Sequence, residues 1–157
     1  MQKWIIFIIL IVIAIIGIFI VLNVEIETEY TPESEIEETE LRKTIVTLYF
    51  KDKTTGEISK ENRMIDSKEL LKNPYEVLLK MLIYGTENTN YENTIPKGTK
   101  IIETSFEEGC VTINFSKEFS ENINTEQLNF SIDTIYKTLT ELTEVNSIKI
   151  LVEGVQI

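Results

Sequence analysis

Apolar and polar positions follow three different patterns along this 157-residue chain. The first is an unbroken apolar run, WIIFIILIVIAIIGIFIVL, from Trp4 to Leu22, with one glycine and no charge. As a helix rising roughly 1.5 Å per residue it spans about 28 Å, close to the ~30 Å hydrocarbon thickness of a bilayer. A segment crossing lipid must satisfy its own backbone hydrogen bonds, and a helix does so within one segment. The run is longer than the ~7–15 residues of a signal-peptide core, and no small-x-small cleavage site follows it. No cysteine lies nearby to take a lipid. The pattern predicts an uncleaved transmembrane anchor over residues 1–22. Lys3 precedes the run and Glu25, Glu27 and Glu29 follow it, so Met1 is expected inside and the rest of the chain outside the cytoplasmic membrane.

The second pattern is polar throughout. NVEIETEYTPESEIEETE, residues 23–40, holds eight glutamates, Pro32, and no Lys or Arg. Such a segment repels itself and buries little, so residues 23–42 read as an extended, disordered linker. An acidic ligand for metal or peptide is the competing reading of the same residues. From residue 41 onward there are 14 basic and 18 acidic residues, a net −4 against −11 for the whole chain. A mildly acidic domain without a basic stripe has no electrostatic footprint for nucleic acid.

The third pattern, over residues 43–157, is that of a compact α+β domain. TIVTLYF (44–50) is β-branched and aromatic, and a Thr-Gly turn separates it from ISKENRMI, a more polar strand whose lysine suits an edge. NPYEVLLKMLIYG (73–85) is a helix with Asn73 as cap, Pro74 in the first turn and Gly85 at the stop. Tyr75, Leu78, Met81 and Leu82 fall on one side of it. A polar loop, TENTNYENT, and a Pro-Lys-Gly turn lead to TKIIETSF (99–106) and CVTINF (110–115), joined at Glu107-Glu108-Gly109. Alternation turns Ile102 and Phe106, and Val111, Ile113 and Phe115, inward. In TEQLNFSIDTIYKTLTEL (125–142), Leu128, Ile132, Ile135, Leu139 and Leu142 form a helical stripe, with Asn124 and Gln127 placed as a capping box. Burying that stripe contributes on the order of 10 kcal/mol before ordering entropy is subtracted. SIKILVEGVQI closes the chain as a strand turning at Glu153-Gly154. The order β-β-α-β-β-α-β predicts one mixed sheet with both helices packed on one face.

Candidate chemistry is sparse. The chain has no histidine, which removes Ser-His-Asp and Cys-His sites and His-containing metal clusters. One cysteine rules out an internal disulfide and multi-Cys zinc, and no phosphate-cradling glycine loop is present. Glu107 and Glu108 adjoin at a turn, where they point apart rather than flank a cleft as a glycosidase pair does. Cys110 lies just after them and reads as a small strand residue rather than an activated thiol. The expectation is therefore no catalytic residue, no cofactor and no metal. Apolar residues off the core stripes are the better lead. Phe130 and Tyr136 lie off the stripe of the last helix, and IVTLYF carries apolar side chains on both faces. They either cover a larger core or mark a surface for a partner or another copy of the domain. Tyr84, Tyr91 and Phe119, near the long loop, could line a platform for a wall glycan.

Five stretches in order, VTLYF (46–50), LIYG (82–85), IPKGTKI (95–101), GCVTINFSKEF (109–119) and TIYKTLTELTEVNSIKILVEG (134–154), resemble the GerMN domain family of sporulation and germination proteins. Thr86 departs from that pattern, which commonly has Pro after the helix-ending Gly. The resemblance implies a non-enzymatic protein on the outer face of a spore former's membrane. It further implies partners in an envelope-spanning complex and brings no catalytic, cofactor or metal residues, while the off-stripe apolar residues leave room for a homo-oligomer. The expected function is a membrane-anchored scaffold or interaction protein, with Phe130, Tyr136 and Tyr91 on its interaction surface. The alternative is a tethered module binding peptidoglycan or another wall glycan.

Overall fold

The chain divides into two units, residues 1–40 and 41–157. The computed structural model describes Trp4 and residues 43–157. The predicted anchor over 1–22 and the acidic linker over 23–42 lie outside the described residues, and among those that are described no helix is long and apolar enough to cross a membrane.

In chain order the second unit runs β1 (Lys43–Asp52), β2 (Ile58–Asp66), α1 (Ser67–Lys72), α2 (Pro74–Tyr84), β3 (Tyr91–Glu92), β4 (Ile101–Glu107) and β5 (Cys110–Phe115). A 3-10 turn (Lys117–Phe119), α3 (Thr125–Leu139), β6 (Ser147–Val152) and β7 (Val155–Gln156) complete it. The ends form as their residues require. Asn73 caps α2 by accepting the Glu76 N–H at 3.1 Å, with Pro74 in the first turn and Gly85, at φ 106°, donating back to the Met81 carbonyl. Asn124 and Gln127 close a reciprocal capping box on α3. Glu108-Gly109 and Glu153-Gly154 each carry two positive φ values, the type I′ geometry whose twist matches a two-residue hairpin.

The single mixed sheet expected from sequence is two sheets, of order β2-β1-β3 and β4-β5-β6-β7. Parallel pairing of β5 with β6 makes the second one mixed. The split has a physical cause at β1. Only Lys51 and Asp52 pair with β3, and α3 occupies the rest of that edge, where Thr138 Oγ1 accepts the Tyr49 N–H at 3.2 Å. A helix stands where a joining strand would have to lie. Among the described residues of this unit there are also three α-helices rather than two. Asp66 starts the unforeseen α1 by accepting the Lys68 N–H at 2.8 Å.

The core is one cluster: Val46, Leu48 and Phe50 from β1, Leu78, Leu79 and Leu82 from α2, Val111, Ile113 and Phe115 from β5, Ile135 and Leu139 from α3, and Ile150 and Val152 from β6, with Phe119 stacked on Phe115. Leu128, Ile132 and Leu142 of the α3 stripe pack on its margin. The face of α3 towards β1 is polar instead: Ser131, Thr134 and Thr138 are buried there, and Ser131 donates to the Thr94 carbonyl at 2.6 Å. Inward Ile102 and Phe106 need correction. A register shift between Ile101 and Glu103 reverses the alternation, so Ile101 faces Phe115 and Ile102 turns outward, 51% exposed. Phe106 keeps its place opposite Val111 and stacks on Tyr75, 5.1 Å between ring centres, but at the strand end it remains 38% exposed.

Candidate interaction surface

Glu107, Glu108 and Cys110 line neither the groove beside β2 nor the one beside the loop after α2. Glu107 ends β4 opposite Cys110, Glu108 occupies the turn, both carboxylates are exposed, and the thiol is free and half-buried. Among the described residues no group of three or more His, Cys, Asp or Glu side chains is placed to hold a metal ion.

The aromatic residues singled out from sequence occupy three different settings. Phe130 and Tyr136, six residues apart, stand about 120° from each other around α3. Phe130 lies half-buried under Lys51, whose Nζ is 4.6 Å from the ring centre and pairs with Glu92 at 2.9 Å. Tyr136 is 44% exposed. Tyr91 is half-buried in β3, its hydroxyl donating to the Lys60 carbonyl at 3.4 Å. Phe119 is fully buried, so it takes no part in a surface platform with Tyr84 and Tyr91. In the turn just after α3, Glu141 accepts from the Tyr49 hydroxyl at 2.5 Å and raises that phenol's pKa.

The most heavily constructed part of the surface is one that sequence reading passed over. On β2, Ser59, Glu61, Arg63 and Ile65 face inward opposite Phe50, Leu48, Val46 and Thr44. Arg63 and Glu61 have side chains only 6% and 10% exposed and pair at 2.5 Å. Arg63 Nη2 also donates to the Gly85 carbonyl at 2.5 Å. Glu61 accepts from the Thr86 hydroxyl and, at 3.3 Å each, from the N–H groups of Glu87 and Asn88. Burial alone pushes the Glu61 carboxyl upward. The hydrogen bonds from Thr86, Arg63 and the Glu87 backbone, with the Arg63 charge, outweigh it and hold the group below its ordinary value. Thr86, the departure from the family pattern, is thus a donor to a buried carboxylate. The available signal was alternation, which puts Glu61 and Arg63 on the same face as Ile65.

This latch holds the loop after α2 against the first sheet. Lys53 adds a bond from Nζ to the Thr89 carbonyl at 2.7 Å, and Asn93 Oδ1 accepts the Thr86 N–H at 2.8 Å. The loop borders a shallow polar groove of about 430 Å³ lined by Lys53, Thr86, Asn88, Tyr91, Asn93 and Lys97, among others.

Beside it, β2 is an outer strand of its sheet. Because Tyr49 turns its N–H away from β2, its partner Lys60 turns its own backbone groups away from β1. Alternation does the same for Asn62 and Met64, leaving an edge with which no other strand pairs among the described residues. A groove of about 480 Å³ opens next to this strand, lined by Ile65, Val77 and Met81 with a rim of Glu69, Lys72, Glu76 and Lys80. Val77, Met81 and Tyr84 follow at spacings of four and three, a second apolar stripe on α2 distinct from its buried Leu78, Leu79 and Leu82. Tyr84 is 82% exposed, and Met64, paired with Ile45 on the outer face, is 67% exposed.

A two-sheet α+β domain with its last helix against the edge of the first sheet is the class of structure these observations define. Residues 47–157 match the Germane family model, described as "Sporulation and spore germination". That is most of the chain, and the protein belongs to this family. The description names a developmental process and no reaction. The fold is similar to the first GerMN domain of the sporulation protein GerM from Bacillus subtilis, with TM-score 0.62 and 19% identity over 73% of this chain and 86% of that one. It is similar also to the tandem GerMN domains of that protein, with TM-score 0.63 and 19% identity over 73% of this chain and 41% of the pair. A putative lipoprotein from Clostridium perfringens aligns with TM-score 0.50 and 26% identity over 73% of this chain and 78% of that one. A search of curated proteins gave no significant match.

Proposed function

We propose that this protein is a non-enzymatic, membrane-anchored interaction protein of the sporulation or germination envelope. Residues 1–22 hold it in the cytoplasmic membrane, residues 23–42 supply reach, and the Germane domain docks on the extracytoplasmic side. Family membership supports the process, and the apolar run supports the anchor. The observation that carries docking is the outer edge of β2 beside the apolar stripe of half-buried Val77 and Met81 and exposed Tyr84. An unpaired strand edge offers main-chain hydrogen bonds, and an adjoining apolar groove offers side-chain pockets, the two parts of recognition by strand addition. Tyr136, Phe130 and Tyr91 are further proposed contact residues, set apart from one another rather than in one area. The test is crosslinked co-purification of the tagged intact chain from sporulating cells. Met81→Glu with Tyr84→Ala is expected to strip envelope proteins from the recovered set, and recovery unchanged by both would sink the docking surface.

A second reading has its own observation. The polar groove beside the loop presents amide, hydroxyl and lysine groups around Tyr91, chemistry suited to a wall glycan. Under that reading the intact chain sediments saturably with cell-wall sacculi, and Tyr91→Ala abolishes it. Under the docking reading sacculi leave it in the supernatant.

A further inference from the structure

We infer that the β2 edge takes a second copy of this chain, the two β2 strands pairing antiparallel about a two-fold axis at Asn62. The inference rests on the docking reading and supplies its occupant. Three observations lead to it. First, the outward backbone groups of Lys60, Asn62 and Met64 are those that a neighbouring antiparallel strand would use. The Tyr91 hydroxyl reaches the Lys60 carbonyl at 3.4 Å, and that oxygen keeps a second lone pair.

Second, the charges on β2 choose the register. A two-fold at Lys60, Glu61 or Arg63 sets that residue against itself, a like-charge pair in the centre of the contact. A two-fold at Asn62 sets Glu61 against Arg63 of the second copy on both sides of the axis, and Lys60 against Met64. Opposite charges across a strand pair stabilise it and like charges oppose it. Asn62 is also the midpoint of Ile58–Asp66, so the register favoured by charge is the one that pairs the whole strand. A two-fold at Met64 avoids like charges too, but it leaves nearly half the strand unpaired.

Third, the side chains at that axis suit it. Asn62 is exposed and its Oδ1 accepts from Thr47 at 3.2 Å, so its amide N–H groups are the donors available to Asn62 of the second copy. A two-fold perpendicular to the sheet keeps both α2 helices on one side of the extended sheet. Val77, Met81 and Tyr84 then meet a like stripe rather than water, and the mixed rim of Glu69, Lys72, Glu76 and Lys80 meets its own opposite signs. Such an isologous contact is closed and makes a dimer, not a filament.

The experiment uses the full chain in detergent micelles with Cys110→Ser as background. In an antiparallel hydrogen-bonded pair the two Asn62 Cα atoms stand about 5.5 Å apart, within disulfide reach. Asn62→Cys is therefore expected to crosslink to a dimer under mild oxidant, at least tenfold faster than Ser59→Cys. Light scattering should give a dimer for the parent chain and a monomer for Asn62→Arg, which puts like charges on the axis. A monomeric parent chain, or equal crosslinking from Asn62→Cys and Ser59→Cys, overturns the inference. Co-purification then decides the fate of the docking reading. If Met81→Glu with Tyr84→Ala still releases other envelope proteins, docking stands with a different occupant; if nothing changes, both readings fall.

Discussion

The hairpins β1–β2 and β4–β5 are built on one plan and finish differently. In each, one strand is buried in its sheet, with Val46, Leu48 and Phe50 on β1 and Val111, Ile113 and Phe115 on β5, while the other lies at an edge. The β4 edge is interrupted: its register shifts between Ile101 and Glu103. A bulge adds local twist and breaks the ladder, one of the ways proteins blunt an edge against further pairing. The β2 edge has no such bulge, although Lys60 and the inward-turned Glu61 and Arg63 are charges of the kind that oppose pairing with an unmatched strand. Nine consecutive residue pairs run along β1–β2 without a shift, and its inward Glu61 and Arg63 are nearly buried. Burying an ion pair is weak evidence for stability, since desolvation of both groups offsets their attraction. What Glu61 and Arg63 do accomplish is geometric: they hold the loop from Gly85 to Asn88 beneath a straight strand. The difference teaches that the edge strand of one hairpin is broken by a bulge while that of the other runs in unbroken register.

The largest test of that contrast is Arg63→Met. It leaves the Glu61 carboxylate buried without its cation, and should destabilise the domain by about 3–5 kcal/mol in urea unfolding. Glu61→Gln with Arg63→Met together should cost less than Arg63→Met alone. Next come the turns. Gly109→Ala meets both a positive φ of 81° and the Asn146 side chain amide, whereas Gly56→Ala, at φ 75°, meets only open space. Conformation alone costs about 1–2 kcal/mol at either site, so Gly109→Ala should unfold at clearly lower urea than Gly56→Ala. Equal midpoints would remove the claim that the tighter turn is the more constrained.

The pH dependence follows from the lowered Glu61 carboxyl. A folded-state pKa below the unfolded one means the unfolded chain binds more protons in between. The stabilisation is therefore complete above the ordinary glutamate range and disappears as pH falls through the folded value. Unfolding midpoints measured from pH 7 down to pH 3 should fall more steeply for the parent chain than for Glu61→Gln, and parallel curves would show the latch is not charged. The smallest effect belongs to β4. Ile102→Ala, on the outward side of the bulge, should stay within about 0.5 kcal/mol of the parent. Phe106→Ala should lose about 0.5–1.5 kcal/mol from its stacking on Tyr75. An Ile102 effect as large as that of Phe106 would mean that the bulge does not turn it outward.

Local chemistry was readable wherever the deciding residues sit close together in the chain. Asn73-Pro74 and Gly85 bound α2, Asn124 and Gln127 start α3, and Glu108-Gly109 and Glu153-Gly154 turn their hairpins, each through contacts within a few residues. Even α1, passed over, carries its signal locally in Asp66 and Glu69, a capping pattern shortened to six helical residues. The interaction surface was less legible. Position off the helical stripe picked out Tyr136 and Phe130 alike, although one is 44% exposed and the other lies under Lys51, and sequence position could not show that Phe119 is stacked in the core.

Composition and periodicity by themselves determined the apolar run, the acidic segment and the α+β order, because each depends on residue type at short spacing; the family came from the resemblance of five short stretches in order. Only the tertiary structure decided that the sheet divides. That outcome depends on Thr138, 89 residues beyond Tyr49, taking its N–H and closing the edge of β1 with a helix. Only the tertiary structure likewise decided that Glu61 and Arg63 turn inward as a latch rather than outward as edge charges. An alternating strand states which residues share a face but not which face meets the core. At β2 that was settled by the register with β1 and by a loop some 25 residues away that supplied the hydrogen bonds making burial tolerable.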